Sequence, residues 1–167
     1  LEVFVHGALC VSYSGQCYLS AALNNRSANR GECAQCCRLS YSLIDGNGKC
    51  IADNKHLLSL KDLNQSSRLE ELIDAGASSF KIEGRLKDIS YVKNITAYYR
   101  QQLDQIIARR SDELYRASNG VSTINFTPNP NKSFNRGFTH YFLDGRSKEA
   151  IIQPHSPKSM GEYVGKI

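Results

Sequence analysis

Six cysteines are the residues of this sequence best suited to chemistry, and they lie among Ser, Asn, Gly and Arg. Thiolates clustered in this way bind zinc, copper(I) or iron–sulfur centres, because the metal stabilises the charge left when a thiol loses its proton. Structural zinc sites usually show paired Cys-x-x-Cys motifs, whereas the intervals here are irregular. The pattern therefore predicts a metal centre and favours a cluster held in a loop. The cysteines are Cys10, Cys17, Cys33, Cys36, Cys37 and Cys50.

Two of the six cysteines are weaker candidates for this centre. Cys50 follows the turn-forming run 45–49, so it is expected in a β-hairpin. Cys36 and Cys37 are consecutive, and successive residues of an extended chain point in opposite directions, so one of the two is spare. Any single cysteine is equally well explained as a small buried hydrophobic residue, but four or five within one polar loop are not.

The composition excludes several classes of protein. The 167 residues are 41% hydrophobic and 22% charged, which is typical of a globular chain rather than a disordered one or a coiled coil. No apolar run approaches the roughly 20 residues that a membrane span needs, so no membrane partner is expected. Lys and Arg exceed Asp and Glu by 21 to 16, a balance that favours anionic partners. Six cysteines without a recognisable secretory signal peptide are more typical of metal or redox ligands than of disulfides, so we expect a reducing, cytoplasmic location.

Apolar periodicity indicates alternating strands and helices. Residues 2–6 are apolar and β-branched and predict a buried strand, and residues 79–83 predict another. Ser59 followed by Asp62 predicts a helix start, and the longest helix is expected after Asp88. Parallel strands with crossover helices follow from this order, which predicts an α/β fold. The apolar face of the longest helix is expected to consist of Val92, Ile95, Tyr99, Leu103, Ile106 and Ile107.

Shifts in composition divide the chain into three predicted regions. Residues 1–107 hold the α/β elements and the cysteine-rich loop 8–50, and residues 108–137 lose periodicity and read as a linker. Residues 138–167 start a further, β-rich domain, since 161–167 alternate as a strand does. We expect the chain to begin and end inside a longer protein.

Five segments resemble the signature of the peptidase U-32 family, whose members are often labelled collagenase-like proteases. The resemblance implies a TIM-type barrel whose last two strands are residues 2–6 and 79–83, followed by the entrance to a small β-rich domain. In such a barrel the carboxyl ends of the strands open onto the active face, and Cys10 follows one of them closely. The five segments are 2–10 (EVFVHGALC), 13–17 (YSGQC), 26–35 (RSANRGECAQ) together with Cys37 and Arg38, 80–87 (FKIEGRLK) and 134–139 (FNRGFT).

The resemblance also implies an activity on RNA. Similar members hydroxylate pyrimidines of transfer or ribosomal RNA and depend on an iron–sulfur cluster and on prephenate supply, while related ones act in ubiquinone hydroxylation. Residues 27–35 look most like the ribosomal-RNA branch, in which proline is expected at the position of Cys36, so Cys36 is kept as a reserve ligand. By this resemblance, a 4Fe–4S cluster is held by Cys10, Cys17, Cys33 and Cys37.

Three residues near the ends of the predicted strands are candidates for substrate binding. Glu83 and Arg85 end the second strand, where a carboxylate and a guanidinium can orient a base, a carboxylate or a phosphate. A mutual salt bridge is the alternative for this pair. His6 lies within the first strand, where a core position is more usual than a role at the site.

Three arginines surround the cysteines in the sequence. Arg26, Arg30 and Arg38 carry guanidinium groups suited to phosphate contacts on RNA, and a solvated charged loop is the alternative. RNA is therefore the expected partner.

Two other functions remain open from the sequence. A peptidase needs a nucleophile beside a base, yet none of the four histidines stands in such a motif, and no His-Glu-x-x-His sequence occurs. A structural zinc module that docks on RNA is the non-catalytic alternative. Two barrel strands alone expose edges and an apolar face, so we also expect contact with the missing N-terminal barrel portion, or self-association.

Overall fold

The structure is a computed structural model that describes residues 1–146, 150–162 and 165–166. By compactness the chain divides into two units, each treated separately. The first unit joins Leu1–Gly7 to Leu63–Asn135 and the segment from Gly161, and the second joins Ala8–Asp62 to Arg136–Met160. The elements are β1 (Glu2–Ala8), α1 (Leu19–Asn24), β2 (Tyr41–Ile44), β3 (Cys50–Lys55), β4 (Asp62–Asn64), α2 (Leu69–Asp74), β5 (Ser79–Ile82), α3 (Ile89–Arg109) and β6 (Phe138–Thr139).

Parallel strands form the centre of the first unit, as the sequence predicts. β1 pairs with β5 in parallel from Glu2 opposite Ser79 to His6 opposite Ile82. On its other side, the amide of Gln65, which follows β4, donates to the carbonyl of Val5 at 2.9 Å. The α/β class is therefore confirmed. A closed barrel requires further strands, so the barrel stays a proposal.

Helix α3 covers the strands of the first unit with the predicted apolar face. It begins after Asp88, whose carboxylate accepts the amide of Tyr91 at 2.7 Å and so satisfies a free donor of the first turn. Ile95 and Tyr99 lie in the core as predicted, but Val92 is 44% exposed because it falls outside the buried stripe. The core of the unit comprises Val5, Leu69, Leu72, Ala77, Tyr91, Ile95, Tyr99 and Ile106.

The helix start predicted at Ser59 is wrong. The carbonyl of Ser59 accepts the amide of Gln153 at 2.7 Å, and the amide of Lys61 donates to Ile151 at 2.9 Å. This stretch is therefore extended, since pairing with a distant segment outweighs a local capping pattern. The helix itself is α2, which begins only at Leu69.

The second unit contains the cysteine-rich loop and a hairpin. β2 and β3 are antiparallel, with Ile44 opposite Cys50, which confirms the hairpin expected at Cys50. The Asp45 carboxylate accepts the amides of Asn47 and Lys49, both at 2.9 Å, and so fixes the turn. A buried ion pair, Arg136 to Asp62 at 2.9 Å, also lies in this unit.

The predicted linker, residues 108–137, is largely without helix or strand, but one part of it is anchored. The Asn94 side chain donates to the carbonyl of Asn129 at 2.7 Å and accepts the Asn129 amide at 2.8 Å. The division into three regions stays a prediction. The strand expected over 161–167 falls partly on residues 163, 164 and 167, which lie outside the described residues. Within the described ranges, no helix has both the length and the apolar character needed to cross a bilayer.

Candidate metal centre

The cysteine-rich loop is shaped by short turns rather than by a sheet. Between α1 and β2 it makes two 3-10 turns, Ala28–Arg30 and Cys36–Arg38. Side chains bond the backbone where regular structure is missing, since the Asn29 amide oxygen accepts the Cys17 amide at 3.0 Å and the Ser20 hydroxyl accepts the Ala34 amide at 3.1 Å. Such local bonds satisfy polar groups that no strand partner reaches.

Five of the six cysteines converge on one cavity of about 410 Å³ in the second unit. We call it the cysteine cavity. All six cysteines are free thiols, and Cys50 does not line the cavity. The cysteines that line it are Cys10, Cys17, Cys33, Cys36 and Cys37.

The thiols of the cysteine cavity lie within electrostatic reach of one another. Burial raises the pKa of the Cys37 thiol, the Arg38 guanidinium lowers it, and Cys10, Cys33 and Cys17 raise it further. Thiolates this close oppose one another's ionisation unless a cation binds among them. The donor set is therefore suited to a bound cationic metal centre.

Cys36 and Cys37 differ in surroundings although they are adjacent. Cys36 is 3% exposed, and its thiol donates to the Asn24 side-chain oxygen at 2.9 Å. Cys37 is half-buried and is the thiol whose pKa responds to the three other cysteines. This arrangement favours Cys37 over Cys36 as the fourth ligand, which stays a prediction.

A single metal ion and a cluster make different demands on their donors. Within the described part of the chain, no set of three or more His, Cys, Asp or Glu side chains is arranged to hold a single metal ion. One zinc ion needs all its thiolates about 2.3 Å from the metal. In a 4Fe–4S cluster each of four thiolates binds a different iron, so the sulfur atoms stand further apart. The five thiols that line the cavity supply enough donors for either centre, and the 4Fe–4S cluster stays a prediction.

The three predicted RNA-binding arginines lie in different surroundings. Arg26 and Arg30 are exposed. Arg38 is half-buried, and its Nη1 donates to the Ser59 hydroxyl at 3.0 Å and the Leu60 carbonyl at 2.7 Å, while its Nη2 donates to the Leu9 carbonyl at 2.8 Å. Arg38 is therefore engaged inside the protein, and the phosphate-contact prediction rests mainly on the other two.

His6 lies in the core of the first unit. It is 1% exposed, and its Nδ1 is 3.2 Å from the Tyr99 hydroxyl. Burial lowers its pKa to about 4, although a hydrogen bond with the Asn64 side chain opposes that shift. The same hydroxyl donates to the Val5 carbonyl at 2.8 Å and accepts the Gln65 amide at 3.2 Å. His6 is therefore a neutral, hydrogen-bonded histidine that stabilises β1. This is the core position that the sequence analysis gives as the alternative to a role in substrate binding.

Glu83 and Arg85 follow β5 in the first unit. The Glu83 carboxylate accepts the backbone amide of Arg85 at 3.0 Å, and the ion pairs of the described residues do not join these two side chains. Glu83 is half-buried, and Arg85 is exposed. The mutual salt bridge is therefore not among the ion pairs of the described residues, and the role in ligand binding stays a prediction.

Sequence reasoning missed the residues that hold the cysteine cavity in shape. Asn24 bonds the Cys36 thiol, Asn29 bonds the Cys17 amide, and Ser20 bonds the amide of Ala34, the residue after Cys33. In the first unit, Tyr99 joins three segments. Asn and Ser are ordinary loop residues, so their types carried no signal. Asn25 does carry a signal for a turn. Its φ of 53° is left-handed, and asparagine adopts that conformation more often than most residues do.

Comparison with known proteins gives matches over nearly the whole chain. A family model described as "Peptidase family U32" matches residues 1–153. The chain is 56% identical over 167 residues to the 23S rRNA 5-hydroxycytidine C2501 synthase of Escherichia coli strain K12, covering 100% of the chain and 25% of that protein. It is 33% identical over 175 residues to the tRNA hydroxylation protein P1 of Bacillus subtilis strain 168, covering 100% and 40%.

A third relative has a name of another class. The chain is 36% identical over 170 residues to a collagenase of Porphyromonas gingivalis, covering 99% of the chain and 45% of that protein. The chain thus spans less than half the length of these three relatives. No solved structure matches it.

Proposed function

The chain belongs to peptidase family U32, and on that premise we propose that it is part of an enzyme that hydroxylates a pyrimidine of RNA with an iron–sulfur cluster. The observation that carries the proposal is the cysteine cavity, in which five free thiols line one space. Two relatives are named for RNA hydroxylation, one on 23S rRNA and one on tRNA. The 56% identity favours ribosomal RNA as the substrate.

The proposed cluster has a defined set of protein ligands. The thiolates of Cys10, Cys17, Cys33 and Cys37 would hold it, and the Asn24 contact keeps the Cys36 thiol away from this role. A bound cluster would supply one-electron chemistry. The chain's own groups would fix the ligands and bind RNA phosphates through Arg26 and Arg30.

The remaining parts of the proposal follow from the family. Glu83 and Arg85 would contact the substrate or prephenate, since a carboxylate and a guanidinium suit a base edge and an organic acid. β1 and β5 would be two adjacent strands of a TIM-type barrel completed by the rest of the protein, and the enzyme would work in the cytoplasm, where thiols stay reduced.

The test is anaerobic reconstitution of the full-length protein with counting of bound iron and sulfide. We expect Cys→Ser changes at Cys10, Cys17, Cys33 or Cys37 to remove most of the iron, because each takes away one ligand. Cys50→Ser is the matched control and should keep it. Loss of iron in the control alone, or one zinc per colourless protein, would contradict the proposal.

Activity is tested separately in cells. RNA from cells that lack the gene should contain no hydroxylated pyrimidine at the target position, and mass spectrometry of nucleosides should show its return with the wild-type gene. The ligand variants should not restore it. Full modification by those variants would show that the reaction does not require these cysteines.

A peptidase is the second candidate, favoured by the relative named collagenase. His6 is buried and bonded to Tyr99, so it is poorly placed to activate a nucleophile. Incubation of the full-length protein with gelatin decides the matter. Cleavage that survives serine at both Cys10 and Cys17 would favour the peptidase.

A further inference from the structure

Arg38 joins three separate stretches of the second unit. Its side chain reaches the carbonyl of Leu9, the residue directly before Cys10, and its own backbone directly follows Cys37. The same guanidinium bonds the extended stretch at Ser59 and Leu60. One side chain therefore ties together the backbones that carry two of the proposed ligands.

The backbone of Arg38 is held as firmly as its side chain. Its amide donates to the Gln35 carbonyl at 2.8 Å and closes the 3-10 turn that contains Cys37. Its carbonyl accepts a bond from Nδ1 of His56 at 2.8 Å. A planar guanidinium with fixed donors bonded to three oxygens is more rigid than a flexible ammonium would be.

The charge of Arg38 is not neutralised by a carboxylate bonded to it. Its three side-chain acceptors are one hydroxyl and two carbonyl oxygens. Asp62, whose charge also reaches it, is bonded to Arg136 at 2.9 Å. Burial and the Arg136 guanidinium lower the pKa of Arg38, whereas Cys37, Asp62 and Cys10 raise it. Burying a cation is unfavourable unless an anion lies nearby. Four thiolates around a cluster would supply a net negative charge.

We propose that Arg38 is the positioning residue of the cysteine cavity: it fixes the backbones that carry Cys10 and Cys37, and its charge offsets that of the bound cluster. The electrostatic half of this inference, the charge role, rests on the cluster proposed above. The structural half, the positioning of the two backbones, does not, because the three hydrogen bonds exist without any metal.

The structural half is tested on the metal-free, reduced full-length protein by hydrogen–deuterium exchange with mass spectrometry. Arg38→Gln should speed exchange in the peptides that cover residues 8–12, 35–40 and 58–62. Arg109→Gln is the matched control, because it removes an exposed arginine paired with Glu70 at 2.8 Å in the other unit. Equal exchange in the two variants would overturn the positioning role.

The electrostatic half is tested on the reconstituted protein. Arg38→Gln should release iron to a chelator roughly tenfold faster, as loss of a group that supports the ligands does in other metal sites. It should also lower the midpoint potential of the cluster, since removing a cation disfavours the more negative reduced form. Arg38→Lys should lose iron faster than wild type yet keep a potential close to it, because one ammonium keeps the charge but cannot reach all three oxygens.

Each result has a distinct meaning. An unchanged potential in Arg38→Gln would overturn the charge role, and a lowered potential in Arg38→Lys would do the same. If wild-type protein binds no iron, the cluster proposal fails, while the exchange experiment still decides the positioning role. Should Arg38→Gln fail to fold by circular dichroism, the exchange and iron release of Arg38→Lys decide, and values equal to wild type would overturn the positioning role.

Discussion

Adjacent cysteines of the same chemistry have different surroundings in this protein. Cys36 is buried and bonded to Asn24, whereas Cys37 faces the other thiols of the cysteine cavity. The sequence shows only that one of the two is spare, because alternation along an extended chain does not say which. The choice depends on a short 3-10 turn and on a partner twelve residues away, and neither is visible in spacing.

Histidine burial gives a prediction about stability and pH. Burial lowers the pKa of His6 from 6.5 to about 4, so between these values the unfolded chain binds a proton that the folded protein does not. The stability that depends on neutral His6 is complete above pH 6.5 and is lost as the pH falls toward 4, by up to about 3 kcal/mol. Urea unfolding of the full-length protein at several pH values measures this loss.

His6→Gln is the comparison for that experiment. Gln cannot be protonated, so the variant should be less stable at neutral pH but should lose less stability on acidification than wild type. Because both proteins contain the same carboxylates, the difference between their pH slopes isolates His6. Parallel slopes would show that folding does not shift the pKa of His6.

Elements whose pattern is local were predictable from the sequence. β1, β5, α3 and the hairpin of β2 and β3 follow from apolar period, a capping aspartate and a turn sequence, all contained within a few residues. Ser59 shows where this fails, since its extended conformation depends on pairing with residues 151–153. The bonds that shape the cysteine cavity were unpredictable for the same reason, because they join residues far apart in sequence.

Gly7 near the end of β1 gives a prediction for one element. Its φ is +133°, and a Cβ at this position would lie 2.8 Å from the Glu83 Cβ. Gly7→Ala should therefore destabilise the protein by about 2 kcal/mol or more, through backbone strain and a clash with the residue after β5. Thermal and urea unfolding measure the change.

A second glycine provides the control. Gly46 lies in the hairpin turn, where an added Cβ would meet no atom within 4 Å and no positive φ is required. Gly46→Ala should change the free energy of unfolding by less than about 1 kcal/mol. Similar losses in the two variants would contradict the specific role of Gly7.

At the scale of the whole molecule, the two units differ in what stabilises them. The first has a hydrophobic core under α3, whereas loop 8–50 of the second buries only Ser20 and Cys36. Removing the proposed cluster with a chelator should therefore speed proteolysis within loop 8–50 and leave α3 intact. Mass spectrometry of the fragments locates the cuts, and an identical digestion pattern with and without chelator would refute the prediction.

The bonds of Ser59 and Lys61 to residues 151–153 have a consequence for biosynthesis. All the proposed ligands are translated before this segment, yet the acceptors of Arg38 at Ser59 and Leu60 are held by it. On the ribosome, a nascent chain that has exposed every cysteine still lacks the support of the site. If the proposed cluster forms, iron is thus expected to be held firmly only after the polypeptide has emerged past residue 153, and a product that terminates before that point should release iron faster.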